Sequence, residues 1–224
     1  MKLHFFLITL LLTAGALAAE SPSSAGISRE KANKLRKQGD WKDALAIDRE
    51  LLEKVDDGKS WKDLENALQA LGRLRQINLA DELLEGAVRG HPENWALFRE
   101  AAESYHHLQH LGFLLDGDFH RGHRRGGGRY VTCSGRDRVR AIQLVLQAIE
   151  KAGAGDGGVL SEMHSELAVY LSSGRTGSQR VWALGVLTVL DELPDFGSEQ
   201  RLSSGGGAPV DADGNMLVLG VPES

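Results

Sequence analysis

Apolar positions recur at helical spacing through the first half of the chain. Ser28 is a helix-capping residue type, and the Arg29-Glu30-Lys31 that follows opens a helix expected to reach Gln38, where Gly39-Asp40 breaks it. From Trp41 onward, Ala44, Leu45, Ile47, Leu51 and Leu52 fall on one side of a second helix, which Asp56-Asp57-Gly58 ends. A third begins near Ser60, with Leu64, Ala67, Leu68 and Leu71 in helical register. A fourth begins near Asn78 and carries Leu79, Leu83, Leu84, Ala87 and Val88. His91-Pro92 stops it, because proline pushes the residue before it out of the helical region. A fifth is expected from Pro92 or Glu93 to about Leu111.

The pattern changes after Gly112. Residues 130–133 suit a short strand, and 136–151 form the most strongly patterned helix of the chain. Val139, Ile142, Leu146 and Ile149 line one face of that helix, and Arg138, Gln143 and Glu150 the other. Gly153 to Gly158 is a flexible break, and a further amphipathic helix follows with Leu160, Met163, Leu167, Tyr170 and Leu171. Residues 181–190 are nearly all apolar and read as strand or buried helix; periodicity does not separate the two. Gly205-Gly206-Gly207 links to residues 210–221, which read as a β-hairpin turning at Asp213-Gly214 or Gly214-Asn215. The expected fold is mainly α: helical hairpins, then a smaller α+β segment with a C-terminal β-hairpin.

The helices repeat. Ala80, Leu84, Ala87 and Pro92 stand at offsets of four, three and five, and Phe98, Ala101, Ala102 and Tyr105 follow the spacing W-x2-L-G-x2-Y. Both are spacings of the tetratricopeptide repeat, whose period is ~34 residues. Gly39, Trp41 and Ala44 reproduce the inter-helix turn of an earlier unit. Small residues are needed there because paired helices approach closely. Asp48 stands where an aromatic is usual, and Ala102 replaces a glycine. The reading is a degenerate array of two and a half repeats, with a plain helical-hairpin domain as the alternative.

Targeting and charge add a compartment. Lys2, an apolar run over residues 5–12 and the small-x-small triplet Ala16-Leu17-Ala18 make a signal peptide, cut after Ala18. The run is shorter than the ~20 residues of a membrane span. The expected organisation is therefore signal peptide 1–18, linker 19–27, helical repeats 28–115, joint 116–135, helical segment 136–204 and C-terminal hairpin 205–224. The chain is exported, to the periplasm or beyond, with no stable membrane span once the signal is removed. A formal net charge of −5 argues against a general nucleic-acid binder. Cys133 is the only cysteine, so no intramolecular disulfide forms.

The most unusual composition lies in residues 116–142. Four arginines, two histidines and four glycines fall between His120 and Arg129. Glycines let a backbone approach a ligand, and arginines grip carboxylate or phosphate through two nitrogens. No Gly-Lys-Ser/Thr follows, so this is not a phosphate-binding P-loop, and it is not a dinucleotide fingerprint. Arg121, Arg125 and Arg129 are candidates for binding a partner or an anion. The structural reading has arginines pairing with Glu82, Glu85 or Asp116 to dock the two halves.

Other chemistry is thin. His106 and His110 are four apart on the fifth expected helix, one turn after Glu103, a spacing that can hold zinc. The reading preferred is a solvated helical face, with no metal and no cofactor. Asp211, Asp213 and Asn215 alternate like the start of a calcium loop, but the glycine is misplaced and no glutamate closes it. Cys133 follows a basic run that would lower a thiol's pKa, with His120 or His123 as neighbours.

Several motifs resemble one family. Phe119-x-Arg121-Gly122-x-x-Arg125-x-Gly127-Gly128-Arg129-Tyr130-Val131, followed by Arg136-Asp137-Arg138-Val139-Arg140-Ala141, is similar to the N-terminal region of the large secreted bacterial alpha-2-macroglobulin-like proteins. Trp182, Leu187-Thr188, Leu190 and Leu193-Pro194-Asp195-Phe196 resemble the same region further on, as do residues 207–215 and 221–224. The resemblance implies a signal peptide and a repeat-like helical segment ahead of macroglobulin domains. The family's bait region and Cys-x-Glu-Gln thioester are not in this sequence; Cys133 precedes Ser134-Gly135-Arg136. The function expected is a non-enzymatic, secreted protein-interaction module, the leading part of such an endopeptidase-inhibitor-family protein. Its partner would be a protein, among them the remaining macroglobulin domains or a protease. The alternatives are a free-standing exported scaffold and a hydrolase using Cys133 with a histidine.

Overall fold

The computed structural model describes residues 24–153, 157–173, 190 and 192–197. Those residues are mainly helical: α1 (Ser24–Gln38), α2 (Trp41–Lys54), α3 (Ser60–Arg73), a 3₁₀ turn (Ile77–Leu79), α4 (Ala80–Gly90), α5 (Trp95–His107), α6 (Ser134–Ala152) and α7 (Gly157–Ser172). A three-stranded antiparallel sheet lies between α5 and α6 in the sequence. It comprises β1 (Leu111–Leu115), β2 (Asp118–Arg121) and β3 (Arg129–Thr132), with β1 in the centre. Among the described residues, no helix is long and apolar enough to cross a membrane. The expected signal peptide, the C-terminal hairpin and most of the apolar stretch 181–190 lie outside the described residues.

One buried apolar cluster runs from Leu45 on α2 to Tyr170 on α7. Its largest fully buried members include Leu64, Leu71, Leu84, Leu97, Ile142, Leu144 and Met163. The predicted spacing of α3 and α4 agrees with this core, since Leu64, Ala67, Leu71, Leu84 and Ala87 are all buried. The small residues Ala44, Ala80 and Ala101 are fully buried where helices approach, and Tyr105 is nearly so. Pro92 is exposed in the turn after α4.

Ion pairs fix the first helices. Arg29 of α1 reaches Asp63 of α3 at 2.6 Å and Asp57 of the α2–α3 turn at 2.5 Å. Arg36 pairs with Asp48 of α2 at 2.6 Å. Asp48 is fully buried, and a buried carboxylate needs a cation. Burial still pushes the Asp48 carboxyl up to about 6.

Several boundaries differ from the sequence reading. α1 starts at Ser24, inside the expected linker, and Arg29 is tied down at its second turn. α5 begins only at Trp95, because the Asn94 side chain caps it by accepting from the Leu97 amide at 3.1 Å. It ends at His107, where Leu108 turns extended, and the apolar residues beyond form the central strand β1. On α6 the expected Val139 and Ile142 are buried together with Ala141, Leu144, Val145 and Ala148, whereas Leu146, expected on the same face, is 39% exposed. Gln143, expected in water, donates to the Leu190 carbonyl at 2.5 Å.

Candidate functional site

The sheet places one charged side chain, that of Arg121, in the interior. β1 and β2 form a hairpin through Asp116-Gly117, both with positive φ (50° and 94°), so that Leu115 pairs with Asp118. Two left-handed residues match the twist of the flanking strands. Gly112 on β1 stands opposite Arg121 on β2. A Cβ at residue 112 would lie 2.3 Å from the His120 carbonyl and 2.6 Å from the Phe119 ring, so glycine is required. Gly122 has φ +86°, and a Cβ there would meet Ile77 at 2.7 Å. That close approach seats the end of β2 on the 3₁₀ turn that leads into α4.

Arg121 therefore points between α4 and α6. Its Nε and Nη2 donate to Asp81 at 3.0 and 2.6 Å. Nη1 and Nη2 donate to Asp137 at 2.7 and 2.8 Å, and Nη1 also to the Gln109 carbonyl at 2.7 Å. The side chain is 1% exposed. Burial alone would lower its pKa, but Asp137 and Asp81 outweigh that and hold it above its ordinary value.

Asp137 lies in the first turn of α6, where unpaired amides favour a negative charge. Burial opposes its ionisation; the donors Arg121 and His110 prevail and hold it below the usual carboxylate range. His110 Nδ1 approaches Asp137 Oδ2 to 2.7 Å. Cys133, the residue before α6, is 2% exposed. Its Sγ lies 3.2 Å from Asp137 Oδ2, 3.3 Å from the His110 carbonyl and 3.4 Å from Arg121 Nη1. Burial pushes this thiol up, and the neighbouring Asp137 adds to the effect.

His110 Nδ1, Cys133 Sγ and an Asp137 oxygen lie within 4.8 Å of one another, the spacing of a metal triad. The donor set is nonetheless filled. The Arg121 guanidinium already sits 2.7 Å from Asp137, so a divalent ion would have to displace a buried, fully hydrogen-bonded cation.

A cavity of about 470 Å³ adjoins this network, with Asp81, Glu85, Arg121, Asp137 and Arg140 in its lining. Arg140 grips Glu85 at 2.7 and 2.8 Å, and Tyr105 donates to Glu85 at 2.8 Å. Leu193 and Phe196 also line the cavity. Arg136 donates to the Pro194 carbonyl at 2.8 Å and lies 4.3 Å from the Phe196 ring centre. Phe196 stacks on Phe119 at 5.0 Å, and Gly197 exchanges two backbone hydrogen bonds of 2.9 Å with Thr132.

The three candidate arginines do not gather. Arg121 is buried, while Arg125 and Arg129 are exposed. The expected docking of the halves by arginine–carboxylate pairs is present: the expected Glu85 pairs with Arg140, while Arg121 takes two carboxylates that were not expected, Asp81 and Asp137. Glu82 and Asp116 are exposed. The zinc spacing fails because α5 stops at His107, leaving His110 off the helix. His106 packs on Tyr170 at 4.9 Å instead. The histidine beside Cys133 is His110, not His120 or His123, and the thiol's pKa is raised rather than lowered. Asp211, Asp213 and Asn215 lie outside the described residues. Sequence reasoning missed Asp81 and Asp137; the readable signal was Asp116-Gly117 between Leu114-Leu115 and Asp118-Phe119, a hairpin turn.

Comparisons with family models, with curated proteins and with solved structures each find no match to this chain.

Proposed function

We propose that the chain is a non-enzymatic protein-interaction module, the leading part of an exported alpha-2-macroglobulin-like, endopeptidase-inhibitor-family protein. The observation that carries the interaction reading is the contrast between interior and surface chemistry. Arg121, Asp137 and Cys133 are buried and, with the partly exposed His110, satisfy one another. The open hollows lie between helices instead. One of about 350 Å³ separates α2 from α4, with Leu52, Leu83, Gly86 and Gly90 in its walls. Others lie along α3 and α5. Grooves between stacked helical hairpins are where such arrays take their partners. Buried Ala44, Ala80 and Ala101 support the tetratricopeptide-like reading.

The family reading rests on sequence. Phe119, Arg121, Gly122 and Asp137 carry the resemblance, and the same residues build the buried network. A folding signature of this kind is expected to persist where the fold does.

The test is the nucleotide sequence downstream, followed by expression of whatever it encodes with this chain. A macroglobulin-type reading frame whose product co-purifies in equal ratio supports the proposal. If no such frame follows, the free-standing exported scaffold replaces it. A hydrolase centred on Cys133 gains nothing from a thiol held protonated by burial.

A further inference from the structure

A second polar hollow lies between α3 and α5, on helices that the Arg121 network does not use. It consists of two depressions of about 290 and 410 Å³ that share Trp61, Glu100 and Glu103. Trp95 walls the first and Glu65 the second. Trp61 is 37% exposed, an unusual position for an indole unless something covers it.

The charges here do not balance. Arg99, the one arginine in the lining, is spoken for: it reaches Glu166 of α7 at 2.5 Å and Glu162 at 2.9 Å. Lys62 pairs with Glu65 at 2.5 Å and lies 5.5 Å from the Trp61 ring centre, so it already occupies one side of that indole. Glu100 and Glu103 have no ion pair among the described residues. The hydrogen bond Glu100 accepts, from the Ser104 hydroxyl, is long at 3.4 Å. Glu100 is half-buried beside Glu103 and Glu65, and burial chiefly pushes its carboxyl up to about 7. A carboxylate desolvated without a cation is costly, and an incoming positive charge removes that cost. Indole faces attract cations as well, and they favour organic cations over metal ions, which prefer oxygen, nitrogen or sulfur donors.

We propose that the α3–α5 groove seats a basic side chain, lysine or arginine, of a partner polypeptide, held between Trp61 and Trp95 over Glu100. This deepens the interaction-module reading and rests on it.

The test uses the full chain and four blocked tripeptide amides, glycine–X–glycine with X as lysine, arginine, norleucine or glutamate. The readout is the indole N–H resonances of Trp61 and Trp95, assigned with Trp61→Phe and Trp95→Phe. The lysine or arginine peptide shifts both resonances saturably, the norleucine and glutamate peptides do not, and Glu100→Gln weakens binding at least about five-fold. Glu100→Gln removes charge without removing volume, so it keeps the fold. Equal shifts from norleucine would overturn the proposal, as would indole shifts from calcium chloride alone, or unchanged affinity in Glu100→Gln. Co-purification with the downstream product that survives in Glu100→Gln and Trp61→Ala would remove this groove from the interface and leave the module reading standing. Loss of the downstream partner with lysine binding intact would do the reverse.

Discussion

Arg121 and Asp137 meet side by side through two contacts, Nη1–Oδ2 at 2.7 Å and Nη2–Oδ1 at 2.8 Å, with both side chains at most 5% exposed. The pair ties β2 to the first turn of α6, and Asp81 ties the same guanidinium to α4. Removing the cation leaves the buried Asp137 carboxylate without its guanidinium partner, while the Asp81 carboxylate is 35% exposed. Arg121→Met is expected to cost about 3–5 kcal/mol, the usual penalty for breaking a buried pair from one side. Arg125→Ala and Arg129→Ala, at exposed positions, should change stability by no more than about 0.5 kcal/mol. Urea unfolding of the three variants checks this. Equal losses would mean that Arg121 is not the buried partner.

The groove between α3 and α5 gives stability a pH dependence. The folded-state pKa of Glu100, about 7, lies above its ordinary value of 4.5, so the folded chain holds this proton more tightly than the unfolded chain. Between those values protonation favours folding, and stability falls as pH rises through the window. Asp48, raised from 3.8 to about 6, acts in the same direction. Asp137, held low, loses its contribution only in stronger acid. The groups facing Glu100 are Glu65 and Lys62 on α3 and Glu103 and Ser104 on α5. Glu100→Gln is therefore expected to raise stability at about pH 8 by on the order of 1 kcal/mol after solvent screening, and to change little at about pH 5. Unfolding midpoints at the two pH values decide it. A variant less stable than the parent at the higher pH would sink the idea.

Helix order was readable because amphipathic spacing survives in any context that buries one face. Leu64, Ala67 and Leu71 announce α3, and the core uses them as announced. The sheet was not readable in the same way. Leu111 to Leu115 continues the apolar run of α5, and length alone did not separate strand from helix end. The turn chemistry of Asp116-Gly117 did carry that information. The site was legible as a region and not as residues. Four arginines in ten positions look alike in composition. Which one is buried depends on strand alternation and on the two glycines, 112 and 122, that let β2 close on its neighbours. Asp81 and Asp137 are distant in sequence and become partners only through the fold.

Gly122 is the sharpest test of that geometry. Its φ of +86° disfavours any other residue, and a methyl there would press on Ile77 at 2.7 Å. Gly122→Ala should lose about 1–3 kcal/mol and loosen the seat that aims Arg121 at Asp81. Gly126 also has a positive φ, of 126°, but its Cβ would meet nothing within 4 Å. Gly126→Ala therefore isolates the backbone strain from the clash and should cost less. Thermal unfolding of both variants measures the difference. If Gly126→Ala proves the more damaging, the contact with the 3₁₀ turn is not what holds β2.

Cys133 lies in the same closed network, and its chemistry follows from that. Burial is the main cause of its raised pKa, and only the thiolate attacks an electrophile. In the native chain iodoacetamide should label this thiol orders of magnitude more slowly than in denaturant, at a rate set by opening of the fold. Zinc should not change that rate or the melting temperature, because the cation position beside Asp137 and Sγ belongs to Arg121, at 2.7 and 3.4 Å. Arg121→Met removes that competitor and leaves His110, Cys133 and Asp137 in place. Zinc should protect the thiol only in that variant, through a site of three donors that the parent fold keeps closed. Labelling and melting with and without zinc, in parent and variant, separate the cases. Zinc protection in the parent would show that the guanidinium yields and that the triad is a metal centre after all.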